Sequence, residues 1–495
     1  MFLALPKRGV GYLSKSFVRS LRGFSSASGQ DWVATWKKEV DNIKYDEHFE
    51  DSADQLRGIV KRAHLRFTDL RDNPERFFSA HRYLAERSPE LGPGFWIRFT
   101  VQYNLFAGTI LGCAGESQLS ILDDMQEKGE LGCFALTEKF AGVNSGLVVN
   151  TEIEWDQDRQ VFVLNTPNDG AKKNWISQGF TADKAVVIAN LKVGGGVVGP
   201  HAFVMDFRRD GKLVDNITID DMGTKTVGND LDNAWIHFDH VELPKSAMLN
   251  RFADIDDDGN YALQVPGIRP FDMIGQRLFS GRIAVAQAAM TFRKKLYEKT
   301  KDYTDDKLCW APKKAQSDLP VLSSIPQLTE LFNEEQERYE KMETFIGICE
   351  DELNGCLRAN KIPTMDLMEA IAVSKVKAVE ESIEMSFRLK QEVGSYALMA
   401  GSGFEQMDFL QCCKFAEGDS RILMLKMARD RLGKYQKKGP ADGGPTDEDK
   451  QCQLILDCMV AAKDGSASEE AKVYNEMNCL AEMTMERILD AYMGK

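Results

Sequence analysis

Glu417 is followed at once by Gly418, within a stretch whose apolar spacing is helical. A carboxylate is a residue type that takes protons from carbon, and a neighbouring glycine lets the backbone come close to a substrate. By itself, a glutamate beside a glycine in a helical region reads as a solvated cap. Two other patterns carry the letters of a binding loop without its setting. Gly194-Gly-Gly-Val-Val-Gly199 satisfies G-x-G-x-x-G, but the dinucleotide motif must open a helix. Here Pro200 and the strand-like HAFVMDF follow, so the run reads as an inter-strand loop. Asp254-Ile-Asp-Asp-Asp-Gly259 resembles the start of a calcium loop, yet its twelfth position is Val265, where a bidentate glutamate is required. It reads as an acidic surface turn. No G-x-S-x-G elbow is present. The ten cysteines form no C-x-x-C pair, although Cys412 and Cys413 are adjacent, and the six histidines show no ligand spacing with them. No metal site is expected, and the thiols suit a reducing compartment.

The elements that must position these residues follow from periodicity. Apolar residues recur at three and four in LRGIVKRAHLRFTDL and FWIRFTVQYNLFAGTILGCAG, which predicts helices up to about residue 132. VFVLNTP, AVVIANL, HAFVMDF and AWIHFDHVEL are short runs rich in β-branched and aromatic residues, parted by Asn, Asp and Gly. Long helical periods return in IAVAQAAMTFRKKLYEKTKDY and LMEAIAVSKVKAVEESIEMSFRLKQEV. The expected organisation is α+β and multidomain: an N-terminal α-helical domain (30–132), a middle β-barrel-like domain (133–250) and a C-terminal helical bundle (251–432). A linker (433–450) and a helical tail (451–495) follow.

A chain of 495 residues exceeds one compact core, and 28% charged residues suit a soluble globular protein. Its formal charge of −14 argues against nucleic-acid binding. Charge is uneven. Lys7, Arg8, Lys15, Arg19 and Arg22 stand in the first 30 residues with no acid, which leaves −19 on the rest. The basic, serine-containing start (1–24) has the composition of a transit peptide, which points to the mitochondrial matrix, with plastid or peroxisome as alternatives. No stretch has the roughly 18 apolar residues of a transmembrane segment.

Cys133-Phe-Ala-Leu-Thr-Glu-Lys-Phe-Ala-Gly142 resembles the flavin-binding signature of the acyl-CoA dehydrogenase and acyl-CoA oxidase superfamily. Asn174-Trp-Ile-Ser-Gln-Gly179-Phe-Thr-Ala-Asp is similar to its second flavin segment, and Phe415-Ala-Glu-Gly-Asp-Ser-Arg421 to the segment that carries the catalytic glutamate. HAFVMDFR and Leu231-Asp-Asn-Ala-Trp-Ile-His-Phe-Asp-His-Val-Glu-Leu-Pro244 resemble the oxidase-like branch. The likeness runs over roughly residues 80 to 432. It implies the acyl-CoA dehydrogenase fold, FAD as cofactor and an acyl-CoA substrate. It also implies Glu417 as the base that takes the Cα proton, with Gly418 beside the substrate. Leu136 (through its backbone) and the Thr137 hydroxyl would meet the flavin's pyrimidine edge, Trp175 would cover the ring system, and Ser177 would lie near N5. Gly142 and Gly179 belong to the same two segments, and Arg277 stands where an arginine meets coenzyme A.

The chain departs from the family at three places. Tyr303-Thr-Asp-Asp-Lys307-Leu-Cys-Trp310 carries a lysine where an arginine is usual, so the bidentate fork suited to pyrophosphate is missing. In the family this helix reaches a neighbouring subunit's flavin, which implies a homodimer or homotetramer and assigns Lys307 and Trp310 to cofactor binding. A Gly-Gly-x-Gly turn reads Ala400-Gly401-Ser-Gly403 here, and the stretch from Phe404 to Glu417 is short. The expected activity is α,β-dehydrogenation of acyl-CoA to trans-2-enoyl-CoA by a mitochondrial dehydrogenase that hands electrons to an electron-transfer flavoprotein. An oxidase that uses O2 and releases H2O2 is the alternative. A non-catalytic relative acting as a complex subunit is the reading from another class.

Overall fold

A computed structural model of the chain describes residues 27–142, 149–266, 270–312, 318–404, 407–440, 444–462 and 467–494. The basic leader therefore lies outside the described residues. Helices α1 (Ala27–Asp41), α2 (Phe49–Arg62), α3 (Asp69–Asp72), α4 (Pro74–Leu91) and α5 (Pro93–Thr100) come first. In α2, Ala53, Leu56, Ile59 and Val60 fall on one buried stripe. Glu50 and Asp51 stand in its first turn and Lys61 and Arg62 in its last, the arrangement the helix dipole favours. Between α4 and α5, Gly92 takes a φ of 78° and Pro93 starts the next helix. The chain then widens into a π-helix, Val101–Phe106, before α6 (Ala107–Cys113) and α7 (Ser120–Lys128).

The middle of the molecule is a curled sheet. Six strands, β1 (Gly132–Ala135), β2 (Glu152–Asp156), β3 (Val161–Asn165), β5 (Lys184–Val193), β6 (Gly196–Asp206) and β11 (Val241–Pro244), form one sheet around β5. Strands β4 (Lys173–Ser177), β9 (Ile217–Asp221) and β10 (Asn233–Phe238) form a second. Alternation decides the faces: in β3, Phe162 and Leu164 point inward, and they pack with Trp155, Phe203 and Phe238. The glycine run discounted above is the β5–β6 hairpin, with Gly194 and Gly195 at φ 57° and 78°. The acidic run turns β12 (Ala253–Ile255) into β13 (Tyr261–Leu263).

Helices α8 (Pro270–Asp306), α9 (Pro326–Ala359) and α10 (Met365–Val393) form the bundle, with α11 (Met407–Cys413) and α12 (Ser420–Lys438) closing it. Arg293 of α8, wholly buried, makes a two-pronged bond to Glu335 of α9, 2.7 Å on each prong. The stretch expected as a tail is two helices, α13 (Asp447–Ala462) and α14 (Ala467–Met493), and their apolar faces join the main core. Arg431 of α12 bonds Glu448 and Asp449 at 2.6 Å each, and Arg487 of α14 reaches the same Glu448. Helix α12 continues through Lys438, so the breaker-rich stretch is confined to 439–446.

One buried cation ties the first helices to the sheet. The Arg98 guanidinium donates to Asp232 Oδ1, to the carbonyls of Asp230 and Phe49, and to the Thr181 hydroxyl, all at 3.0–3.1 Å. A fully exposed arginine makes such bonds to water instead, so this one is retained because every prong finds a protein partner. Among the described residues no helix is long and apolar enough to cross a membrane.

Candidate active site

Glu417 sits in the turn between α11 and α12, with a left-handed φ of 56° followed by 102° at Gly418. A left-handed glutamate persists only where its surroundings hold it. Lys375, a cation inside the buried stripe of α10, donates to the carbonyls of Lys414 (2.8 Å) and Gly418 (2.9 Å) and to the Ser420 hydroxyl (3.1 Å). Asp419 caps α12 by accepting from the N–H groups of Arg421 and Ile422. Arg282 of α8, seated on the Phe279 ring, donates from Nε to the carbonyl of Glu417 itself.

The carboxyl group lies against Gly281. A Cβ at that position would collide with Glu417 Cδ and both its oxygens, so only a glycine leaves room for it. Oε2 is buried and has no hydrogen-bond partner. Burial pushes the Glu417 carboxyl up to about 8, against the opposing pull of Arg282, a bond from Asn104 and the charge of Lys375. The same burial lowers Arg282 to about 10 and Lys375 to about 8. A buried carboxyl with one bare oxygen and a pKa close to neutral is suited to general-base work.

The two flavin-like segments lie side by side, since Asn174 N–H donates to the Thr137 carbonyl at 2.8 Å. Beneath them is a buried pair. Lys173 donates to Glu138 (2.8 Å), to the Leu136 carbonyl (3.2 Å) and to the Ile188 carbonyl (2.7 Å). Above that support, the Thr137 side chain is exposed and Leu136 is buried. Trp175, at a left-handed φ of 57°, leaves 55% of its surface open. The half-buried Ser177 hydroxyl accepts from Asn233 at 3.1 Å. Gly179 is where the chain passes under Ala234 too closely for a side chain. Gly142 lies exposed at the segment's end.

The π-helix stands between the two halves. Gln102 accepts from Gly132 N–H at 2.7 Å, at the root of the first flavin-like segment, while Asn104 accepts at 2.6 Å from Ser280, the neighbour of Gly281 on α8. Residues two apart on a helix look to opposite sides, so this one turn touches both. Lys307, Trp310, Gly401 and Gly403 are not brought to this place. From Gly281 to Asp306, α8 climbs roughly 37 Å. Lys307 and the 81%-exposed Trp310 come after that end. Gly401 and Gly403 form a turn against the same distal part, where Lys299 donates to the Gly401 carbonyl. The Arg277 side chain lies outside the described residues. Asn104, Gly281, Arg282 and Lys375 were not singled out from sequence, although Asn104 and Lys375 interrupt apolar runs and so carried a signal.

No family model matches the chain. Among curated proteins, it is 32% identical over 261 residues to a peroxisomal acyl-coenzyme A oxidase 2 of Arabidopsis thaliana, covering 50% of this chain and 37% of that one. It is 26% identical over 354 residues to acyl-coenzyme A oxidase 3 of Yarrowia lipolytica, covering 68% and 50%. The chain thus spans half or less of these relatives' own length. Among solved structures, the acyl-CoA oxidase 3 of Yarrowia lipolytica superposes with a TM-score of 0.72 at 19% identity, over 96% of this chain and 76% of that one. Glutaryl-CoA dehydrogenase of Mycobacterium smegmatis gives 0.63 at 19% identity, over 84% and 97%. These sequence relatives are named as oxidases, whereas the activity expected above was a dehydrogenase's with an oxidase as its alternative. In sequence the chain is similar to acyl-CoA oxidases, and its fold is the acyl-CoA dehydrogenase fold that they share with glutaryl-CoA dehydrogenase.

Proposed function

We propose that the protein is an FAD-dependent acyl-CoA oxidase that forms trans-2-enoyl-CoA and passes the electrons to O2. The observation that carries this reading is the Glu417 carboxyl, buried against Gly281 with Oε2 bare, one π-helical turn away from two adjoining flavin-like segments. The residues present fit a flavin. An open Trp175 face, an exposed Thr137 hydroxyl and the Ser177 hydroxyl line one surface, on a support too well bonded to shift. Leu136, Thr137, Trp175 and Ser177 would hold the ring system.

Bound FAD supplies a hydride acceptor for Cβ, with electrons going on to O2. The chain's own part is proton chemistry and placement. Oε2 of Glu417 takes the Cα proton, and its raised pKa makes it a stronger base than a solvated carboxylate. Arg282 and Lys375 hold the turn by its carbonyls, so the base does not swing away from the thioester. Gly418 keeps the backbone beside the carboxyl free of a side chain. Oxygen is preferred over an electron-transfer flavoprotein because the sequence relatives are oxidases. The plant and human relatives named as peroxisomal support the peroxisomal alternative over the mitochondrial matrix. Lys307 and Trp310, at the far end of α8, support a homodimer in which they meet the partner's cofactor.

Purified protein should be yellow, and anaerobic acyl-CoA should bleach it. Air should then restore the colour with one H2O2 per turnover, whereas slow reoxidation in air would favour the dehydrogenase. A colourless protein that gains no absorbance with FAD would leave the complex-subunit reading.

A further inference from the structure

Two cations stand at the base turn, and they differ in what they have left to give. An ammonium has three N–H donors and a guanidinium five. Lys375 makes three bonds, to the carbonyls of Lys414 and Gly418 and to the Ser420 hydroxyl, so its donors are spent. Arg282 makes one, from Nε to the Glu417 carbonyl at 3.2 Å, and among the described residues its Nη1 and Nη2 find no hydrogen-bond partner. The side chain is only half-buried, so these groups are not sealed in. Its guanidinium lies over the Phe279 ring, 5.3 Å from the centroid, which with the Nε bond holds it in place. Nη2 faces the side of Gly418 from which a side chain would project, and a Cβ built there would stand 3.4 Å away. A ligand oxygen in the space that Gly418 leaves open would be within reach of Nη2.

We infer that Arg282 is a second catalytic residue: anchored by Nε on the Glu417 carbonyl, it donates from Nη2 to the thioester oxygen of the acyl-CoA as the Cα proton leaves. The inference rests on the acyl-CoA reading. When the Cα–H bond breaks, the proton goes to Glu417 Oε2 and the bonding pair moves onto the thioester as an enolate. That pair becomes the Cα=Cβ bond as hydride leaves Cβ for the bound flavin. Negative charge thus passes from the carboxylate to the thioester oxygen. A cation that met the carboxylate alone would favour the start of this transfer and slow it. One whose free end meets the thioester oxygen favours the charge where it develops. Glu417 and Lys375 are the charged groups that face Arg282. Lys375 cannot stand in for it, since its donors are committed to the turn.

Acetoacetyl-CoA tests this without turnover, because its Cα is acidic enough to ionise in the site and its enolate absorbs in the ultraviolet. Bound ligand is titrated from pH 6 to 10 in FAD-loaded chains that carry Glu417→Gln, so that the base itself does not titrate. Arginine at 282 is compared with Arg282→Gln and Arg282→Lys. Glutamine keeps an N–H for the Glu417 carbonyl but has no charge, whereas lysine keeps the charge and loses the fork. Arg282→Gln should raise the ligand's midpoint by about one pH unit, a ten-fold smaller enolate fraction below both midpoints. With Glu417 intact, the same substitution should slow bleaching by acyl-CoA by about 10²-fold. Arg282→Lys should show a smaller shift in both. An unshifted midpoint in Arg282→Gln would overturn the inference and leave Arg282 an anchor of the turn. Should that variant fail to fold, Arg282→Lys decides, because a lysine cannot hold the carbonyl and reach the thioester at once. An unshifted midpoint there again counts against the inference. If acetoacetyl-CoA does not bind even with Arg282 present, the acyl-CoA reading fails and takes the inference with it, whereas binding with an unshifted midpoint sinks the inference alone.

Discussion

Glu138 and Glu417 are both buried carboxylates with a lysine at hand, yet their surroundings are built to opposite ends. Every oxygen of Glu138 is in use: Oε1 accepts from Lys173, Thr151 N–H and the Thr151 hydroxyl, and Oε2 accepts from Asn150 N–H. Lys375, by contrast, gives its bonds to the carbonyls around Glu417 and none to the carboxyl. The first glutamate is a rivet under the flavin-like surface. The second is kept short of partners, which is why its proton affinity rises. Buried charge becomes structure or reactivity according to how many of its lone pairs are taken.

Replacing Glu417 by Gln breaks the contrast most sharply: bleaching by acyl-CoA should slow by about 10³-fold, with flavin content unchanged. Stopped-flow absorbance measures it, and parental rates would refute the base. Lys173→Met removes the partner of the other glutamate and should cost about 3–5 kcal/mol of stability, read by denaturant unfolding. That loss should come with release of flavin, whereas Glu417→Gln should cost no stability. Gly281→Ala puts a methyl group where the carboxyl lies, so we expect roughly a 10²-fold slower rate with little change in melting temperature.

The smallest effect is a pH dependence. Glu417 holds its proton up to about pH 8 when folded, against about 4.5 when unfolded. The folded chain therefore binds more protons between these values, and stability falls as pH rises through that window. Glu417→Gln is exempt, so its melting temperature should exceed the parent's at pH 8.5 by about 2 °C and match it at pH 4.5. An equal gap at both pH values would mean that the carboxyl is not held in its neutral form.

The layered order of helices, sheet and helices was legible because each part keeps its own period, as in Phe162 and Leu164 or the stripe of α2. Glu417, Thr137 and Trp175 were legible through resemblance, because a local segment carries them. Gly281 was not. Its importance comes from a carboxyl that lies far along the chain, and nothing near Gly281 in sequence announces the encounter. The π-helix escaped for a related reason, since its extra residue leaves the apolar spacing of 95–111 nearly intact. The helices at 447–493 read as an appendage because linker residues precede them, yet their apolar faces complete a core begun much earlier.

That last feature bears on the order of synthesis. Helix α12, which follows the base turn directly, is covered by α14, and α14 leaves the ribosome only after about another thirty residues have been added. Until then α12 rests on α10 alone of these two neighbours, and the turn that carries Glu417 is held by Arg282 and Lys375 without the packing behind it. The sheet and its tryptophan surface are complete far sooner. A nascent chain would therefore finish its sheet surface well before the packing behind the Glu417 turn is complete.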